Sequence, residues 1–312
     1  MEETKTYNLN KIQNLKCGEN VHQEASLYNI NKRLNYEMLS GNLTYNNILD
    51  SSCALDIISE FFDVAGIVVV KHANPASVAL ANNLGGALEK ILDSDPLAPF
   101  DSTIALSQAI SIDLARKLIE LKLKVILAPA FEEGAIEILK KVPNIKIVKI
   151  NTPLQEIPTI IEEEIKITPF GTLIQSKDKK DLDVETFKVV TSKKPSQEEL
   201  EDMIFAYKIA KHAKSTCAVV AKGLRTLGIC AGQSDYINAI ESAISRVCDS
   251  PKDSIIAIDG TINIIDNIQI MAQNRLSGLI QAGGSIKDKE IVEYADKYEI
   301  AIVSTNIKHI KH

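Results

Sequence analysis

A lysine and a histidine stand side by side at positions 71 and 72, behind an unbroken apolar run and ahead of an asparagine and a proline, in the stretch GIVVVKHANPASVA (66–79). A permanent cation next to a side chain that titrates near neutral pH suits acid/base work. The run Ile67, Val68, Val69, Val70 reads as a buried strand, and Asn74-Pro75 as the turn that ends it. Neighbouring residues on a strand point to opposite faces, so Lys71 and His72 serve one site only where the backbone bends. On composition alone, an exposed lysine beside a hydrogen-bonded histidine at a strand end is the plainer reading.

Other candidates are weaker. Ala282-Gly283-Gly284-Ser285 and Ala231-Gly232-Gln233-Ser234 could each cradle an anion with backbone N–H groups, but glycine turns of this kind also join ordinary strands to helices. No dinucleotide fingerprint, Walker loop, nucleophile elbow or HExxH motif occurs. His22, His72, His212, His309 and His312 are too scattered to argue for a metal. The five cysteines (17, 53, 217, 230 and 248) form no CxxC pair, which argues against a zinc site and a disulfide framework.

The elements that must position these residues alternate. Helical apolar spacing follows turn chemistry over 41–62, and the strand at 67–70 is followed by an expected helix over 77–91. Strands are expected at 104–106, 125–127 and 145–150, with helices over 112–121 and 134–141. Residues 1–15 read as a polar lead-in and 16–23 as a turn-rich loop. Ser196 with Glu199 is a capping box that starts a helix reaching about residue 211. Strands at 217–221, 228–231, 254–258, 278–281 and 300–304 then alternate with helices over 234–247, 264–274 and 288–298.

This order implies α/β architecture, βαβ units and a largely parallel sheet. Prolines 153, 158 and 169 and the charged run SKDKKDLDVE suggest edge strands, a connector and a boundary near 178–195. The expected units are 1–185 and 186–312. The halves resemble distant repeats, with Asp101-Ser-Thr-Ile set against Asp259-Gly-Thr-Ile and Val125-Ile-Leu-Ala against Leu279-Ile-Gln-Ala.

Bulk properties narrow the function classes. The chain has 312 residues, 45% hydrophobic and 24% charged, as in ordinary soluble proteins. A net charge of -6 gives no general attraction to nucleic acid or an anionic membrane, so an anionic ligand needs local cations. The N-terminus lacks an apolar signal core and no run approaches spanning length, which makes the cytoplasm the default location.

Taken together, LKCGENVHQ, GNLTYNNILD, VVVKHANPASVA, DPLAPF, VILAPAF, FAYKIAKHAKST, GICAGQ, IQAGGSIKD and TNIKHIKH resemble, in order and spacing, the transformylase half of the bifunctional purine-biosynthesis enzyme in which AICAR formyltransferase is fused to IMP cyclohydrolase. The resemblance implies two tandem cytidine-deaminase-like three-layer α/β/α domains without the deaminase zinc, and a homodimer with active sites at the subunit interface. It implies formyl transfer from 10-formyltetrahydrofolate to the 5-amino group of AICAR, with no catalytic metal; some relatives add a monovalent cation. The family's reacting pair falls on Lys71 and His72, the histidine taking the amine proton and the lysine stabilising the formyl oxygen. The chain starts where the transformylase half starts, so IMP ring closure is not expected.

The same resemblance puts Lys16, Cys17, Asn74, Asp101, Lys124, Thr216, Tyr236 and Lys308 on the ribotide side. Gln233, Ile237, Thr261, Asp266 and Gly283 fall on the folate side. Several of these depart from the family pattern. Lys16-Cys17 stands for Arg-Tyr, Asp101 for glycine, Lys124 for an acidic residue, Thr216 for asparagine and Tyr236 for arginine. Residues 259–264 read Asp-Gly-Thr-Ile-Asn-Ile for DAFFPF, Asp266 is retained, and Lys308 replaces the closing arginine. The altered shell defines a second reading, a catalytically weak paralogue that binds a ribotide or folate or acts as a partner subunit.

Overall fold

The computed structural model describes residues 4–29 and 33–312; residues 1–3 of the expected lead-in lie outside them. The rest of that lead-in is not plain coil. Asn10–Leu15 (β1) pairs antiparallel with Ala25–Asn29 (β2), the turn-rich loop lying between them. Leu9, Ile12 and Leu15 recur every third residue among polar ones, without the alternation that signals a strand.

The first large sheet is built from Tyr36–Ser40 (β3), Ala65–Lys71 (β4), Asn74–Ala81 (β5), Thr103–Leu106 (β6), Val125–Ala128 (β7) and Lys146–Ile150 (β8), in the order β3-β8-β7-β6-β4-β5. Its helices are Tyr45–Ser59 (α1), Leu84–Ser94 (α2), Ile112–Leu118 (α3) and Ala135–Leu139 (α4). Glu163–Thr168 (β9) and Gly171–Ser176 (β10) form a separate antiparallel hairpin where edge strands and a connector were expected.

The second large sheet repeats the plan. It is built from Lys188–Val189 (β11), Ala218–Ala221 (β12), Thr226–Cys230 (β13), Ile255–Ile258 (β14), Gly278–Gln281 (β15) and Ala301–Ser304 (β16), in the order β11-β16-β15-β14-β12-β13. Its helices are Gln197–Ala210 (α5), Tyr236–Ser245 (α6), Asp266–Gln273 (α7) and Asp288–Lys297 (α8). The Ser196–Glu199 capping box is present at α5. Strand for strand, β4 corresponds to β12, β6 to β14 and β7 to β15.

Three expectations change. Each sheet is mixed: only β6-β7 and β7-β8 are parallel in the first, β14-β15 and β15-β16 in the second. The expected helix over 77–91 starts at Leu84 instead. Ser77 to Ala81 pair with β4, a short apolar run whose period does not separate strand from helix, and Asn83 caps the helix by accepting Gly86 N–H. The repeat alignment pairs equivalent strands at Val125 and Leu279 but one residue out of register, since Gly278 faces Ile255 as Val125 faces Thr103, and it fails for Asp101 against Asp259. Asp101 precedes β6 and Asp259 follows β14, so they stand at opposite ends of equivalent strands.

Helices α1 and α5 are packed between the two sheets, and their buried side chains join the inner faces of both in one core. Ile57, Ile58, Met203 and Ile209 are fully buried there. The remaining helices of each half cover the outer faces in two further cores. The sheets also meet edge to edge. Ala79 bridges Arg225 antiparallel, Leu80 N–H donates to Leu224 C=O at 2.9 Å, and Val78 N–H donates to Thr226 Oγ1 at 2.9 Å. Each half thus covers the other's open strand edge.

A buried ionic cluster ties α1 to α5. Glu60 Oε1 accepts from Lys211 Nζ at 2.8 Å and lies 3.0 Å from His212 Nε2. Burial alone would raise the Glu60 carboxyl, but the His212 hydrogen bond and the His212 and Lys211 charges hold it down at about 2. Burial keeps His212 below the usual histidine range, so Lys211 is the permanent cation of the cluster. A carboxyl depressed from 4.5 to about 2 contributes stability above pH 4.5 that is lost as the pH falls toward 2. Thermal unfolding from pH 5 to 2 is expected to show a falling Tm whose slope is shallower in Glu60→Gln; parallel slopes would refute this assignment.

Candidate active site

The turn that follows β4 is not made by Asn74-Pro75. Lys71 pairs with Asn74 across a two-residue connection, and its central residues His72 (φ 53°) and Ala73 (φ 54°) are both left-handed. This is the backbone of a type I′ hairpin turn, which ordinarily recruits Asn-Gly. His-Ala is a costly choice, about 1 kcal/mol or more per left-handed residue. Asn74-Pro75 instead opens β5, and Pro75 is tolerated beside the irregularity where Val69 faces Ser77 and Val70 faces Pro75.

Four hydrogen bonds among the described residues hold the turn. Asp50, on α1, accepts Ala73 N–H at 2.7 Å through Oδ1. Lys71 Nζ donates to Leu97 C=O at 3.2 Å, in the proline-rich loop after α2. Asn74 Nδ2 donates to His72 C=O at 3.2 Å, while its Oδ1 accepts Lys214 N–H at 3.1 Å from the second half. The antiparallel meeting of β5 and β13 brings the Asn74 end of one to the Cys230 end of the other. The Lys71–His72 tip therefore sits against the 214–216 and 231–233 segments.

Asp101 and Lys124 flank the same end of the first sheet, since Val70 pairs with Thr103 and Lys124 N–H donates to Ser102 C=O at 2.9 Å. Asp101 is left-handed (φ 58°), a conformation suited to glycine. Its carboxylate pairs with Lys124 Nζ at 2.8 Å, both side chains about half exposed. Two departures from the family pattern thus neutralise each other. Lys16 and Cys17 lie in the loop between β1 and β2, which Asn46 Nδ2, on α1 one turn before Asp50, fastens through Glu19 C=O at 3.1 Å. They make no hydrogen bond to the turn among the described residues.

On the second half, the centre is Asp259, fully buried at the end of β14. Its carboxylate accepts from Ser215 Oγ, from Cys217 N–H at 3.1 Å and from Tyr236 Oη at 3.2 Å, and its carbonyl accepts His309 N–H at 3.0 Å. Burial, then the Asp259 charge, pushes the Tyr236 phenol up, so it stays a donor. Thr216 and Gln233 exchange backbone hydrogen bonds at 3.0 and 3.2 Å, and Thr261 Oγ1 donates to Gly283 C=O at 2.9 Å. Ile237 follows Tyr236 in the first turn of α6. Asp266 opens α7 and is exposed, as is Lys308 in the terminal segment. These positions share the carboxyl end of the parallel strands, where α/β sheets commonly bind ligands.

Lys71, His72, Asn74, Asp101 and Lys124 thus form one group, and Thr216, Gln233, Tyr236, Ile237, Thr261 and Gly283 a second, joined through Asn74 and Lys214. Lys16, Cys17, Asp266 and Lys308 stand at the margins. Reading the sequence for chemistry passed over Asp50, Lys214 and Asp259 as working residues, although each lies in a quoted motif; a carboxylate that holds backbone has no spacing signature of its own. Among the described residues, no group of three or more His, Cys, Asp or Glu side chains is placed to hold a metal ion, and no helix is long and apolar enough to cross a membrane.

Tyr236 and Gly260 are sterically coupled. A Cβ added at Gly260 would lie 2.2 Å from Tyr236 Oη and 3.3 Å from its Cζ. Gly260→Ala is expected to push the hydroxyl off buried Asp259 at a cost of roughly 1–3 kcal/mol. Adding Tyr236→Phe removes the clashing atom, so the double variant should be more stable than the sum of the single losses. Urea unfolding measures this, and additivity would contradict it.

With this geometry in place, comparison with known proteins is informative. Residues 1–246 match the family model described as AICARFT/IMPCHase bienzyme. Proteins called bifunctional purine biosynthesis protein PurH are similar along nearly the whole chain. That of Caldicellulosiruptor saccharolyticus is 38% identical, covering 98% of this chain and 60% of the relative. Those of Acetivibrio thermocellus and Bacillus cereus are 37% and 35% identical, each covering 99% of this chain and 61% of the relative. The chain spans about three-fifths of the length of these relatives.

Proposed function

Because the chain belongs to the AICARFT/IMPCHase bienzyme family, we propose that it transfers the formyl group of 10-formyltetrahydrofolate to the 5-amino group of AICAR. The observation that carries this reading is the left-handed turn at His72-Ala73, tied through Asn74 to Lys214. It bends the backbone between Lys71 and His72, so consecutive side chains can address one cleft between the halves. The amine nitrogen bonds to the formyl carbon while His72 accepts its proton, and Lys71 stabilises the negative charge on the formyl oxygen. Collapse breaks the bond to folate N10, which takes the proton back from the His72 imidazolium and leaves as tetrahydrofolate.

The proposal carries with it two cytidine-deaminase-like units (1–185 and 186–312), a monovalent cation as the accompanying ion, and a homodimer with interfacial sites. Exposed Ile167, Phe170 and Leu173 on the β9–β10 hairpin support a covering partner. A specific observation also favours the second reading, ribotide or folate binding with little turnover. Tyr236 is spent on Asp259 and Lys124 on Asp101, so neither is a free contact for an anionic ribotide.

Turnover separates the two. With AICAR and 10-formyltetrahydrofolate, the purified chain is expected to release tetrahydrofolate, and His72→Ala or Lys71→Ala to lower kcat roughly 10²-fold or more. Turnover no higher than in a Lys71→Ala/His72→Ala variant, together with thermal stabilisation by AICAR or folate, would instead establish the second reading.

A further inference from the structure

The Lys71–His72 turn has a structural twin. In the second half, the β12–β13 hairpin turns through Gly223 (φ 64°) and Leu224 (φ 56°), again left-handed at both central positions. Helix α5 corresponds to α1, and its sixth residue is Asp202, as the sixth residue of α1 is Asp50. Asp202 accepts Gly223 N–H at 2.8 Å and Leu224 N–H at 2.6 Å. Asp50 accepts only the second of the equivalent pair, Ala73 N–H at 2.7 Å. The two halves thus use one device, a carboxylate on the central helix that fixes the turn of the adjacent hairpin.

What differs is what the turn carries. In the second half it carries Lys222, Gly223 and Leu224, and glycine relieves the left-handed backbone at the first central position. In the first half it carries Lys71 and His72, and neither central residue is glycine. The strain at His72 and Ala73 therefore persists only because surrounding contacts hold it, and Asp50 supplies the one side-chain bond to a central amide. Burial pushes the Asp50 carboxyl up, and the Ala73 N–H bond and the nearby His72 and Lys124 oppose that rise.

We propose that Asp50 is the positioning residue of the reacting pair: its carboxylate, by holding Ala73 N–H, keeps the strained turn that aims the Lys71 and His72 side chains into one cleft. This rests on the reading of Lys71 and His72 as the pair that transfers the formyl group. Asp50 acts through the backbone and touches no substrate. Its removal should therefore misplace the pair without removing a binding contact.

Asp202 provides the internal control, because it performs the same bond on a turn without reacting groups. In the formyl-transfer assay with AICAR and 10-formyltetrahydrofolate, Asp50→Ala is expected to lower kcat by roughly 10²-fold, the effect of a misplacement near 1 Å, with KM little changed. Asp50→Asn keeps an acceptor oxygen at the same place and should recover most of that loss. Asp202→Ala should lower Tm while leaving kcat close to that of the parent.

Amide hydrogen exchange of Ala73 gives a readout independent of activity: slow in the parent and in Asp50→Asn, fast in Asp50→Ala. A folded Asp50→Ala with parental kcat would overturn the inference, as would an equal kcat loss in Asp202→Ala or unchanged Ala73 exchange. Absence of turnover in the parent would overturn the formyl-transfer reading alone, and Ala73 exchange would then decide whether Asp50 holds the turn.

Discussion

Two adjacent peptide units in the left-handed region, at His72 and Ala73, are the constraint around which the first half is arranged. A regular strand would send Lys71 and His72 to opposite faces of the sheet. The turn reverses the chain within two residues and presents both at one edge. Such backbone is unfavourable for any residue but glycine and, to a lesser degree, asparagine. It is kept by bonds from three directions: α1 through Asp50, the loop at Leu97, and the second half through Lys214. The strain and its supports lie together at the Lys71–His72 tip, the clustering that functional sites commonly show.

The duplication explains how such a tip acquires walls. Both halves share one strand order, yet they contribute opposite ends of it. The first half offers the amino ends of β6 and β7 and the β4–β5 turn, the second the carboxyl ends of β14 and β15. Antiparallel contact between β5 and β13 makes those opposite ends adjacent. The shared core of α1 and α5 then fixes the halves together, so the placement of these ends depends on apolar packing remote from them.

Residues that depart from the family pattern fall into coupled sets. Asp101 and Lys124 exchange charges with each other, in a pair too exposed to contribute more than about 1 kcal/mol. Tyr236 fills the space that Gly260 leaves and completes the hydrogen bonding of a buried carboxylate. In these two sets each side chain is accommodated by its neighbour, which keeps the Asp259 network satisfied.

Much of this was legible in the chain. The capping box at Ser196, the buried strands at 67–70, 125–127 and 255–258, and the alternation of strands with helices follow from local periodicity and turn chemistry, which short segments carry by themselves. The family motifs marked Lys71 and His72. Other features could not be read locally. The strand at Ser77 to Ala81 is fixed by pairing with β4, and strand direction in each sheet is set by long-range hydrogen bonds. The partners of Asp50, Asp259 and Lys124 lie 23 or more residues away in sequence. The sequence by itself marked a candidate reacting pair and most of the strands and helices, but not β1, β2 or the strand at Ser77 to Ala81. Tertiary structure alone decided the turn that carries Lys71 and His72, because a carboxylate that holds a distant amide leaves no periodic trace along the chain.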